Sequence, residues 1–107
     1  MRIIAYKTLV RFVDSLAGNR DQDVVRAALS AWYHEVRKAV WRSPTDVKEA
    51  YRHASIVGAN RVVFNIKGNS YRLVVAVDYQ REVVFIKWIG THRDYDRIDV
   101  RTVDYGD

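Results

Sequence analysis

The stretch NRVVFNIKGNSYRLVVAVDY (60–79) decides the fold. Apolar residues alternate through it: Val62, Phe64 and Ile66 share one side, while Arg61, Val63, Asn65 and Lys67 share the other. A period of two is the signature of a strand with one face against a core. Gly68-Asn69 supplies residues that tolerate a tight turn. Beyond it, Tyr71, Leu73, Val75 and Val77 line one face, opposite Arg72, Val74 and Ala76. The stretch therefore reads as a β-hairpin.

Working outward, Asp78-Tyr79-Gln80 makes a turn into a third strand, Arg81 to Ile89. Both of its faces read as covered, as for a strand inside a sheet. Gly90 is expected to end it. Upstream, the periodicity changes to helical. Val25, Leu29, Trp32, Val36 and Val40 form one stripe of a long helix that Asp21 is expected to cap, opposite Arg26, His34, Arg37 and Lys38. Leu9, Phe12, Val13 and Leu16 mark a shorter helix from Thr8, stopped by Gly18-Asn19. Ser43-Pro44-Thr45-Asp46 starts a third, with proline in the first turn. Residues Arg2 to Tyr6 read as an N-terminal edge strand. The layout is one α+β domain over residues 1–107: an N-terminal strand and two to three helices packed on a twisted antiparallel sheet.

The 107 residues carry 18 Lys and Arg against 13 Asp and Glu, a net charge of +5. Such a balance favours polyanionic partners. With no cysteine, disulfides, thiolate metal sites and thiol nucleophiles are excluded, which fits a reducing compartment. The cytoplasm is the expected location. No apolar run is long enough to span a membrane. The three histidines lack the spacing of a metal site, and neither a phosphate-binding glycine loop nor a nucleophile elbow occurs. No metal or cofactor is expected. His34 and His53 read as surface residues.

Two places carry chemistry. Arg61, Asn65, Lys67 and Arg72 are expected to project together from the open sheet face as a basic cradle for a sugar-phosphate backbone. The same charges also serve to keep a strand soluble and its edge protected. After the last strand, Gly90-Thr91-His92-Arg93-Asp94-Tyr95-Asp96 brings imidazole, guanidinium, carboxylate and phenol into one short polar loop. Imidazole moves protons near neutral pH, and a phenol stacks on bases or donates a hydrogen bond. Trp32, Trp41 and Trp88 fall within helical or strand patterns and read as packing residues rather than a stacking platform.

Together with AWYHEVRKAVWRSPTDVKEAYRHASIV (31–57) and VFIKWIGTHRDYDRID (84–99), the opening stretch resembles HigB-type toxins of the RelE superfamily over most of the chain. The resemblance implies a toxin of a type II toxin-antitoxin system, an endoribonuclease cutting mRNA in the ribosomal A site without a metal. It implies as partners the ribosome, its mRNA and a HigA-like helix-turn-helix antitoxin, whose complex with the toxin binds its own operator DNA. The Tyr-Arg-Leu-Val segment of RelE relatives is similar to residues 71–74 and nominates Arg72. The Gly-Thr-His of YafQ-like relatives nominates His92. Lys67 and Tyr95 complete the expected catalytic set, while Arg61, Asn65 and Lys87 are expected to contact RNA. The competing reading is a basic RNA-binding or antitoxin-binding module without catalysis.

Overall fold

The computed structural model describes residues 1–104, so the last three residues of the expected domain lie outside the described residues. In chain order they form β1 (Arg2–Ile4), α1 (Tyr6–Ser15), α2 (Gln22–Lys38) and α3 (Pro44–Ala50). Then come β2 (Ser55–Val57), β3 (Arg61–Ile66), β4 (Tyr71–Asp78), β5 (Val83–Thr91) and α4 (His92–Tyr95). The strands make one sheet in the order β1-β5-β4-β3-β2. The α+β layout of helices on a meander is borne out. Its antiparallel character holds for β2 to β5, whereas β1 joins β5 in parallel, pairing Ile3 with Val84. That makes β5 an interior strand, as its apolar composition requires.

The alternation of 60–79 has its predicted effect. Val62, Phe64, Ile66, Tyr71, Leu73, Val75 and Val77 are all buried in one cluster with α1 and α2. α2 presents Val25, Leu29, Trp32 and Val36 to that cluster. Each such side chain contributes about 1.5–3 kcal/mol on burial. The helix ends at Lys38, so Val40 falls beyond the stripe and is 55% exposed. Phe64 is the aromatic hub: Trp32, Trp41 and Tyr51 lie with ring centroids 5.5, 6.2 and 5.1 Å from it.

Four details depart from the expectation. Asp21 is helical in backbone and makes no side-chain cap on α2. Its carboxylate instead accepts a bond from the Tyr71 hydroxyl at 3.0 Å, tying the helix start to the hairpin. β2 is an added short strand, because residues 55–57 are too few to display alternation. Third, β5 continues through Gly90 to Thr91, and His92–Tyr95 is a helical turn rather than an open loop.

The fourth departure is a β-bulge. Val75 pairs with Ile86, but Val74 pairs with Trp88, leaving Lys87 as the extra residue on β5. A bulge resets which face the following side chains take. Ile86 and Ile89 both stay in the core, and Trp88 comes out on the side away from the helices.

That second sheet face is not wholly open. Val63 and Val74 face away from the helical core and are nevertheless 2% and 0% exposed. The chain after α4 returns across them as a strap. Arg61 Nη1 donates to the carbonyls of Val100 (3.2 Å) and Val103 (2.6 Å), Lys87 pairs with Asp104 at 3.0 Å, and the Arg101 guanidinium lies against Gly58. The sheet is thus covered by helices on one face and by the strap over part of the other.

Candidate active site

At the end of the second face that the strap leaves uncovered, register brings the expected residues together. Asn65 on β3 pairs with Arg72 on β4, which pairs with Gly90 on β5, and Tyr71 pairs with Thr91. Side chains of directly paired residues point to the same side of a sheet. Asn65 and Arg72 therefore stand side by side, next to a position that carries no side chain. The His92 amide donates to the Ser70 carbonyl at 2.9 Å, which fixes the start of α4 against the hairpin turn. Thr91 caps this turn, its Oγ1 accepting from the Asp94 amide at 3.1 Å. The cap folds the segment back, so that Tyr95 lies over the sheet instead of continuing away from it.

Arg72 is the centre of the site. Its Nη1 donates to the Asn69 carbonyl at 2.7 Å, and the guanidinium carbon sits 5.7 Å from the centre of the Tyr95 ring. A guanidinium has five N–H donors, so holding the turn leaves the Nε and Nη2 groups for an anion. The ring against its plane restricts the side chain's freedom. Trp88 lies beside this pair, with its ring centroid 6.3 Å from that of Tyr95. His92 is exposed at the first position of α4.

Arg61 and Lys67 do not join Arg72 as the alternation predicted, and Lys87, expected to contact RNA, is also held elsewhere. Lys67 has a left-handed backbone (φ 52°), which breaks the strand's alternation and turns its side chain toward the helices. Its ammonium lies 3.4 Å from Asp21 Oδ1. Bonds from Tyr71 and Lys67, with Arg20 nearby, hold the Asp21 carboxyl below the usual carboxylate range, while its burial opposes them. Burial and the Asp21 bond push the Tyr71 phenol up. Arg61 is 9% exposed and committed to the strap carbonyls. Lys87 is the bulge residue and is paired to the strap through Asp104. Of the expected RNA-contacting residues, Asn65 alone remains exposed beside Arg72.

The position of Trp88 beside this site was not anticipated from the sequence. The signal was present, since Ile86 and Ile89 stand three apart where strict alternation allows two. An extra residue between two core positions implies a bulge and places Trp88 outside.

A cleft of about 760 Å³ lies on the other side of the hairpin, between α2, the end of α3 and the part of the β3 edge that β2 leaves unpaired. It is lined by Trp32, Glu35, Glu49, Tyr51, Arg52 and His53, with Phe64 to Asn69 along the strand. Tyr51 donates to Glu35 there at 2.5 Å, and burial followed by that bond raises its pKa above the usual phenol range. Among the described residues, no cluster of His, Asp or Glu has the arrangement to hold a metal ion, and no helix is long and apolar enough to cross a membrane.

Four helices and a five-stranded mixed sheet, with the main helices on one sheet face, are consistent with a RelE-like fold. Residues 25–98 match the HigB_toxin family, the RelE-like toxic component of a toxin-antitoxin system. With most of its length matched, the chain belongs to this family and is a toxin of a toxin-antitoxin system; an antitoxin is its partner. No curated protein matches it significantly.

Proposed function

We propose that the chain is a ribosome-dependent endoribonuclease of the cytoplasm, cutting mRNA in the ribosomal A site and so arresting translation and growth. The observation that carries this reading is Arg72, held over Tyr95 on the uncovered sheet face and in register with the strand end that leads into His92. The 2′-hydroxyl attacks the adjacent phosphorus, the new 2′-O–P bond forms as the P–O5′ bond breaks, and the products are a 2′,3′-cyclic phosphate and a 5′-hydroxyl. The step needs no metal. It requires a proton removed from the 2′-oxygen, a proton delivered to the 5′-oxygen and stabilisation of charge on the phosphorane.

Arg72 supplies that charge through its remaining donors. His92 is the proton-transfer group, and Tyr95 positions a nucleotide. Lys67 adds positive charge only after it leaves Asp21. Asn65 contacts the RNA backbone beside Arg72. Arg61 and Lys87 hold the strap and bound the surface from below. Among the described residues, no side-chain bond holds a second acid-base group against His92, and the in-line geometry comes from outside the chain. The ribosome supplies it by fixing the codon, and the net charge of +5 favours docking to ribosomal RNA. The antitoxin is a helix-turn-helix protein that, with the toxin bound, occupies its own operator.

The test is mapping of RNA ends after induction. Codon-phased cuts that require translation and leave 2′,3′-cyclic phosphate are the expected result. Growth arrest without cuts indicates the non-catalytic binding module instead.

A further inference from the structure

The three tryptophans divide into two kinds. Trp32 and Trp41 are each 3% exposed and pack on Phe64, as core residues do. Trp88 is half-buried and lies on the opposite face, where the bulge at Lys87 puts it. Gly90 is what lets it lie flat. A methyl group built on Gly90 would come within 2.5 Å of Cη2 and Cζ2 of the indole, so the ring occupies the space a side chain there would take.

The indole lies next to Tyr95, whose ring is 6.3 Å away at a tilt of 48°, and Tyr95 in turn carries the Arg72 guanidinium. Indole, phenol and guanidinium form one continuous surface, with Asn65 at its border. Two aromatic rings opening from a cation that contacts phosphate are the elements of a single-stranded nucleic-acid platform, since every base offers a π-face. A smaller apolar residue at position 88 would suffice to shield Val74; a broad ring held flat by a glycine does more.

We propose that Trp88, laid over Gly90 and flanked by Tyr95, is a stacking surface for a nucleobase of single-stranded RNA, holding the nucleotide next to the phosphate that Arg72 contacts. The assignment rests on the ribonuclease reading of the same face. Stacking of this kind is tolerant of base identity, so Trp88 sets affinity and position rather than sequence.

Exposure makes the test specific, because a ligand on this face meets Trp88 and neither buried tryptophan. The intact protein is titrated at low salt with a short single-stranded RNA whose 2′-oxygens are methylated to block cleavage. A 5′-dye-labelled abasic ribose-phosphate strand of equal charge is the comparison. The expected result is saturable tryptophan quenching by the base-bearing strand and little by the abasic one. Trp88→Leu should abolish the quenching and weaken binding about 10- to 100-fold, with Trp88→Phe recovering most of the affinity. Gly90→Ala, which displaces the indole, should weaken binding with Trp88 still present. Absence of quenching, equal quenching by the abasic strand, or binding by Trp88→Leu within twofold of the parent overturns the assignment. Cleavage on programmed ribosomes, measured for the same proteins, separates the two claims. Loss of base-dependent quenching with normal cleavage removes the stacking role alone, and base-dependent quenching without cleavage retains it and removes the ribonuclease.

Discussion

His92 and Arg72 make different demands on the fold, and substitutions should separate them. The His92 side chain is exposed, and the bond fixing this residue comes from its backbone amide. His92→Ala should therefore unfold at the parent temperature while lowering the rate of mRNA cleavage about 10²- to 10⁴-fold, which thermal melting and primer extension check together. Asp21 belongs to stability. Its folded-state carboxyl lies below the usual range, so as pH falls the unfolded chain takes up the proton first. Its contribution is complete above the ordinary carboxylate value near pH 4 and disappears as pH drops through the lower folded value. Melting temperatures between pH 5 and pH 2 should fall less steeply for Asp21→Asn than for the parent. Nomination of Arg72 and His92 came from motifs; Arg72 stands on the uncovered face, and His92 is exposed at the start of α4. Lys67 was misplaced because alternation cannot anticipate a left-handed residue at a strand end.

Among the elements, the strap is the one that pattern gave no access to. Residues 98–104 have no periodicity, and what orders them is a set of donors reaching backbone carbonyls, which any sequence presents. Arg61 is the main anchor. Arg61→Ala leaves the Val100 and Val103 carbonyls without their donor and should cost about 1–3 kcal/mol in chemical denaturation. Trypsin should then cut faster at Arg97 and Arg101, because the strap is no longer held. Unchanged stability and protease resistance would mean that the strap is held by other contacts. The bulge in β5 was legible in principle from the Ile86 to Ile89 spacing, whereas the hairpin and α2 were legible outright because each buries one face. β1 gave a strand but not its parallel partner, since three residues carry no information about direction.

At the scale of the whole molecule, composition pointed to an anionic partner and the family match names the system, while the reaction rests on one end of one sheet face. Docking driven by a net charge of +5 should weaken steeply with salt. Ribosome association measured by sedimentation at 50 and 200 mM salt should show at least a tenfold loss for each two to three phosphate contacts made. The central claim is that Arg72 performs chemistry on mRNA that the ribosome presents. Purified toxin added to ribosomes stalled with a defined codon in the A site tests it directly. Cleavage at that codon, absent when ribosomes are omitted and reduced about 10²- to 10³-fold by Arg72→Ala, is the predicted result. Equal cleavage of free mRNA, or full cleavage by a folded Arg72→Ala protein, would contradict it.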